Sequence, residues 1–102
     1  MGYITIYSTY PNDKEAKKMA NMLLDMHLIA CANFFPIESM YHRKGKKETV
    51  KEIVSLYKTQ KKHWKAIQKE ITQHHSYEIP CIIKFDIEAN LSYEQRISKE
   101  SK

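Results

Sequence analysis

The clearest periodicity lies late in the chain, where Ile83, Phe85 and Ile87 alternate with Lys84, Asp86 and Glu88. Strict alternation puts successive side chains on opposite faces of an extended backbone, so Cys81–Ala89 is predicted to be a half-buried strand restarting the chain after Pro80. Near the beginning, Tyr3–Thr9 is β-branched and aromatic, the composition of a strand covered on both faces, and Pro11 stops it. The period then changes. Asn12 supplies an N-cap with Glu15 three residues on, and Ala16, Met19, Ala20, Leu23 and Leu28 follow near helical spacing, predicting a helix to about Leu28. Cys31–Tyr41 and Thr49–Thr59 return to strand character around the charged turn HRKGKKE with Gly45 inside it, a long β-hairpin in which Pro36 requires an edge position or a bulge. Thr59 is the expected cap of a second helix whose face is Trp64, Ile67 and Ile71 and which ends near His74. From Asn90 onward only Leu91, Tyr93 and Ile97 interrupt a polar tail, expected to be a short packing segment or a frayed end.

The order βαββαβ, with right-handed crossovers, folds into a four-stranded antiparallel sheet with both helices on one face: an α+β, ferredoxin-like domain with a long hairpin between its second and third strands. The second and fourth strands are expected to run the same way on opposite edges. That would start Cys31 and Cys81 at one end of the sheet about 14 Å apart, three strand spacings, too far for a disulfide.

Composition narrows the class. With 102 residues, 42% hydrophobic, two glycines and three prolines, residues 1–102 form one domain without a flexible linker. The net charge of +5 favours acidic partners, but most lysines are interleaved with acids, as on solvated faces. An RNA-recognition domain shares the βαββαβ order, yet its third strand needs a basic-glycine-aromatic run, and ETVKEIVSLYK carries one aromatic near its end; no nucleic-acid partner is expected. No apolar run approaches the ~20 residues of a membrane span, and Ile6 breaks the myristoylation pattern after Met1-Gly2. With no secretory apolar region ahead of them, the two separated cysteines fit free thiols in a reducing, cytoplasmic setting.

Candidate chemistry concentrates in HHSYEIPC, from His74 to Cys81. These residues suit a helix-to-strand corner, with His74 and His75 at a helix C-terminus and Tyr77 over the core edge. The corner is the favoured reading of the cluster, and metal ligation is the second. Neither CxxC nor HExxH occurs, so a metal site would be assembled from distant segments or different subunits. Cys31, His75 and Cys81 are the candidate ligands, expected at one end of the sheet. Thiolate and imidazole suit copper or zinc better than magnesium or calcium, although Cys31 fits a small core position equally well. A Cys-His nucleophile would need an activated thiolate and an oxyanion hole, neither of which Cys81 directly after Pro80 offers, and no phosphate-binding glycine loop or nucleophile elbow occurs. No enzymatic activity is expected.

An ordered series of motifs resembles one family across nearly the whole chain. Thr9-Tyr10-Pro11 is similar to a TxP motif, Leu28–Asn33 to LAACxN, Ser39-Met40-Tyr41 with Gly45-Lys46 to SxYxWxGK, Lys58-Thr59 to KT, and His75–Pro80 to HPYExP. Together they resemble the CutA divalent-cation tolerance proteins, trimeric relatives of the PII signalling proteins. The resemblance implies a homotrimer with hairpins embracing neighbouring subunits, a non-enzymatic role in metal tolerance, and divalent ions such as copper as ligands. Its metal-associated positions fall on Cys31 and His75, with Cys81 where the family has Glu. Ser76 replaces the family's Pro, His42 and Arg43 occupy the hairpin Trp positions, and Arg96 stands at the late Trp. A PII-like signalling or scaffold trimer is the alternative. Its clefts would bind a small anion or a protein partner, with Lys46, Lys58, Tyr77 and Glu78 as candidate ligand-binding residues and His75 adding charge. A third reading is a trimer that only organises another protein.

Overall fold

In the computed structural model, residues 2–102 are described; the reading of Met1-Gly2 involves Met1 and lies partly outside them. Strand β1 (Tyr3–Tyr10) leads to helix α1 (Asp13–Asp25), and β2 (Cys31–Arg43) pairs with β3 (Lys46–Gln60) as a hairpin. A 3-10 turn (Lys61–His63) introduces α2 (Trp64–His74), and β4 (Ile82–Ile87) precedes α3 (Leu91–Glu100). The sheet order is β2-β3-β1-β4 with every neighbouring pair antiparallel, the ferredoxin-like arrangement expected from the pattern.

One face of the sheet makes the main core. Ile4, Ile6 and Tyr10 of β1 and Tyr57 of β3 pack with Ala16, Met19, Ala20 and Leu23 of α1 and Ile67 and Ile71 of α2. Each fully buried aliphatic side chain there contributes roughly 1.5–3 kcal/mol relative to exposure, enough for helices of 13 and 11 residues that would be marginal alone. Asn12 caps α1, its Oδ1 accepting the Glu15 N–H at 2.9 Å. Asn12→Ala should therefore lower unfolding stability by about 1 kcal/mol with the fold retained, read as a lower denaturant midpoint at unchanged slope; an unchanged midpoint would remove the cap's energetic role.

Helix α1 ends at Asp25, before the expected Leu28. His27 takes a left-handed φ of 57°, its N–H donates to Leu24 O, and the Leu28 N–H reaches back to Leu23 O, both at 3.0 Å. That is a Schellman ending, in which an apolar residue just past the helix packs back onto it; Leu28 keeps the helical spacing without being helical. The hairpin is longer than predicted, its registers running from Cys31 opposite Lys58 to Arg43 opposite Lys46. Lys44 and Gly45 turn it with φ of 51° and 77°, the two positive values that a two-residue type I′ turn requires. Strand β2 is the sheet edge, which accommodates Pro36. Thr59 does not cap a helix; it lies in β3, and its hydroxyl donates to Leu28 O at 2.5 Å.

Two further outcomes concern the edge strands and the tail. First, β2 and β4 run in opposite directions, because three successive antiparallel pairings separate them. Second, of the two readings of the tail the packing segment is the one found: it is α3, with Ile97 and Ser101 fully buried. Tyr3 Oη and Ser98 Oγ share a hydrogen bond of 2.7 Å, and Ser101 O accepts from Gln60 Nε2 at 2.6 Å and His63 Nε2 at 2.8 Å. Tyr93 and Ile97, four residues apart, were the helical signature inside that polar stretch.

The face opposite α1 and α2 carries Phe35, Ile83 and Phe85, which are 41%, 45% and 53% exposed. Pairing registers put them on one surface: Phe35 is opposite Val54, Ile83 opposite Tyr7 and Phe85 opposite Thr5. Beyond Tyr10, which pairs with Ile53, β3 has no β1 neighbour, and the hairpin projects to give a body of 46 × 23 × 21 Å.

Candidate functional site

Where β1 stops, a different segment takes over its role. Glu52 is the first β3 residue past the end of β1, and the connection between α2 and β4 covers it. Between the connection and the hairpin lies a cleft of about 700 Å³ lined by Thr9, Tyr41, Arg43, Glu52, Tyr77 and Cys81 among others.

Glu52 is only 8% exposed. Its Oε1 accepts from Ser39 Oγ at 2.6 Å and its Oε2 from Tyr77 Oη at 2.8 Å. Among the described residues, no lysine, arginine or histidine forms an ion pair with it. A buried carboxylate costs several kcal/mol of lost hydration, which two hydroxyl donors offset only in part, so the cleft favours a cation. The effect is visible on its neighbours. Burial first, then the Glu52 hydrogen bond and charge, push the Tyr77 phenol well above its usual range, and burial with the Glu52 charge pushes the Cys81 thiol up. Cys81 is half-buried at the entry to β4, where its carbonyl accepts Ser8 Oγ at 2.8 Å.

His75 is held differently. Its Nε2 donates to Thr9 O at 2.7 Å and its Nδ1 accepts the Tyr77 N–H at 3.0 Å. The ring lies between Tyr10, stacked at 4.8 Å and 17°, and Tyr77 at 4.7 Å and 41°. Both nitrogens are thus committed to main-chain groups in the neutral Nε2–H tautomer, and the one free lone pair, on Nδ1, is taken by the Tyr77 N–H. The corner reading of His75 and Tyr77 is the one this geometry follows. His74 is exposed and bonds back to Glu70 O at 2.9 Å.

Cys31 does not join Cys81. It pairs with Lys58, itself opposite Thr5, whereas Cys81 precedes Ile82, which is opposite Ser8. Four residues along the sheet and three strands across it, the two are about 19 Å apart, and the reversed sense of β4 is the reason. Cys31 instead neighbours Tyr93 of α3, whose phenol is pushed up by burial and then by that thiol. The proposed trio therefore does not converge within one chain, and among the described residues no three His, Cys, Asp or Glu side chains do.

The ligand-binding candidates also divide. Tyr77 and Glu78 line the cleft. Lys58 is hydrogen-bonded to Asn33 Oδ1 near the sheet's far end, and Lys46 is exposed at the hairpin tip, about 40 Å further along the same strand. Those two lysines share no cleft within one chain. Sequence reasoning missed Glu52, although a signal existed: it alternates in phase with Val50, Val54 and Leu56, a carboxylate within an apolar stretch of one strand face.

A family model described as CutA1 divalent ion tolerance protein matches residues 4–100. The divalent-cation tolerance protein CutA of Thermococcus kodakarensis is 38% identical over 88 residues, 86% of this chain and 85% of that protein. Its counterpart from Pyrococcus horikoshii is 34% identical over 100 residues, 97% of this chain and 98% of the relative. Among solved structures, CutA1 from Pyrococcus horikoshii superposes with a TM-score of 0.94 at 33% identity, covering 97% of this chain and 98% of that one. CutA1 from Oryza sativa gives 0.96 at 30% identity, covering 100% and 95%. With the motif series, the sheet order and nearly the whole chain in agreement, the protein belongs to the CutA1 divalent ion tolerance protein family.

Proposed function

We propose that this chain works as a non-enzymatic homotrimer that binds a thiophilic divalent or copper ion in the clefts at its hairpin bases. Cys81 and Glu52 are the donors each subunit contributes, and a neighbouring subunit or solvent completes the shell. The observation that carries this reading is the buried Glu52 carboxylate, which forms no ion pair among the described residues, in the cleft that also holds a thiol. The family's name for tolerance of divalent cations supports it. A carboxylate and a thiolate fit zinc or copper, and Cys81 makes the site softer than the Glu that the family resemblance implies at that position. Cys31 contributes only if it is supplied from another subunit, and His75 does not contribute.

Trimerisation is supported by the apolar sheet face of Phe35, Ile83 and Phe85 and by the projecting hairpin, whose β2 edge is open to another chain. A non-enzymatic role is supported by the raised thiol of Cys81, the reverse of an activated nucleophile, and by the commitment of His75 to the main chain. Free, separated thiols are consistent with a reducing, cytoplasmic setting.

Zinc competition against a chromophoric chelator, with the trimer kept reduced by a phosphine at about pH 8, tests the reading. One ion per subunit with micromolar or tighter affinity is expected. Failure of the protein to withdraw zinc from a micromolar chelator would overturn it.

A further inference from the structure

We propose that His75 is a protonation-sensitive latch that keeps the connection between α2 and β4 closed over Glu52, so that acidification loosens the connection and uncovers the carboxylate. Its consequence for ion binding rests on the cleft reading above; the latch itself does not.

The imidazole joins three parts of the chain. Through Nε2 it holds the end of β1 at Thr9 O, through Nδ1 it holds the Tyr77 amide, and it stands at the C-terminal end of α2. Tyr77, held by that amide and stacked on the ring, is the residue whose hydroxyl reaches Glu52 at 2.8 Å. One ring therefore fixes both ends of a short lever.

Only the neutral imidazole can do this. Nε2 already carries its hydrogen, so a second proton must go to Nδ1, the atom that accepts the Tyr77 N–H. Protonation would place two N–H groups head to head at what is now a 3.0 Å hydrogen bond. The amide has to turn away, and Tyr77 moves with it. Glu52 then loses one of its two hydroxyl donors and gains solvent, which frees a lone pair for a cation.

The surroundings act in both directions. Beside Tyr10 and the ring of His75, the adjoining pocket carries Glu15 and Lys18 of α1 and His74 of α2, and Glu52 lies beyond Tyr77. Glu15 and Glu52 are thus the acidic groups near the ring, and Lys18 and His74 the basic ones. An unpaired amide is the structural penalty, worth about 0.5–1.5 kcal/mol for one lost hydrogen bond, up to about tenfold in the opening equilibrium.

Backbone amide exchange on metal-free trimer tests the latch. Relative to intrinsic rates, the Tyr77 amide should exchange up to about tenfold faster at about pH 5 than at about pH 7.5, while the core amides of Ile6 and Tyr57 keep their protection. His75→Asn retains a side-chain acceptor but gains no proton in this range, so the pH response of Tyr77 should vanish. Should that variant fail to fold, the ring ¹⁵N shifts of His75 in the unaltered protein give a second readout: Nδ1 must change from acceptor to protonated together with the Tyr77 change. A Tyr77 amide indifferent to pH, or one that responds equally in His75→Asn, would overturn the latch. Since no zinc is present, these results are independent of whether the cleft binds ions.

Discussion

Cys81→Ser should weaken zinc binding by at least about tenfold, whereas Cys31→Ser should leave a site built within one subunit's cleft unchanged. A serine hydroxyl is not ionised near neutrality and is a poor zinc donor, so the variant loses the one thiol among the described residues that line the cleft. The pH dependence gives the second half of the prediction. Zinc takes the thiolate, so binding expels a proton wherever the free protein holds Cys81 protonated. Burial first and the Glu52 charge second push this thiol up. Affinity must therefore climb as pH rises through and beyond the ordinary thiol range near 8.5, and level off only once the free thiol is ionised. Glu52→Gln separates two effects: it removes a donor and lowers affinity, but also removes the charge that opposes the thiolate, so its affinity profile should level off at lower pH. Competition titrations from about pH 7 to about pH 10 check both. A flat profile in the unaltered protein would show that the ion binds elsewhere, and a Cys31→Ser loss equal to that of Cys81→Ser would show that the site is not built within one subunit's cleft.

The reach of sequence reasoning follows from what each pattern encodes. Alternation at Ile83–Ile87 and the helical spacing of Ala16–Leu23 are local consequences of side-chain direction, so strands and helices could be read directly, and the crossover rule supplied the sheet. Ends were less legible: Leu28 continues the apolar period of α1 but sits past a left-handed His27, a backbone conformation with no compositional signature when the residue is not glycine. The tail could be read only as a packing segment or a frayed end because α3 has one fully buried apolar side chain, Ile97, and depends on hydrogen bonds from Tyr3, Gln60 and His63 that only tertiary structure provides. At the site, ligand-type residues were visible but not their allegiance. His75 and Cys81 lie six positions apart, yet one is consumed by Thr9 and Tyr77 and the other faces the cleft. The sense of a single strand placed Cys31 about 19 Å from the partner expected beside it. Motif order identified the family because it samples many separated positions, whereas assigning a ligand requires knowing which lone pairs are already occupied.

Phe85→Lys should convert the trimer to a folded monomer. Phe85 is 53% exposed on the face not covered by α1 and α2, beside Ile83 at 45% and opposite Thr5 in the pairing register with β1. Full burial of a Phe side chain contributes roughly 1.5–3 kcal/mol, and about half of that is still to be gained on assembly. In a three-fold assembly the substitution appears three times. Each lysine would also carry a charge into the apolar contact, costing further free energy unless it is paired. The main core lies on the other face, around Ile4, Ile6, Tyr57, Ile67 and Ile71, so the separated chain keeps its secondary structure. Asp86→Ala is the matched control. As the neighbour of Phe85 on β4 it points the opposite way, and its contacts to Lys61 and Lys84 are ion pairs of a largely exposed carboxylate, worth little, so that variant should remain trimeric. Light scattering coupled to size exclusion reads the mass directly and circular dichroism checks the fold. A Phe85→Lys protein that still elutes at three times the chain mass would show that this face is not where the subunits meet. Loss of the ion site in a folded Phe85→Lys monomer would show in addition that the cleft is completed by a neighbouring subunit, while full zinc affinity in the monomer would place every donor within the one chain.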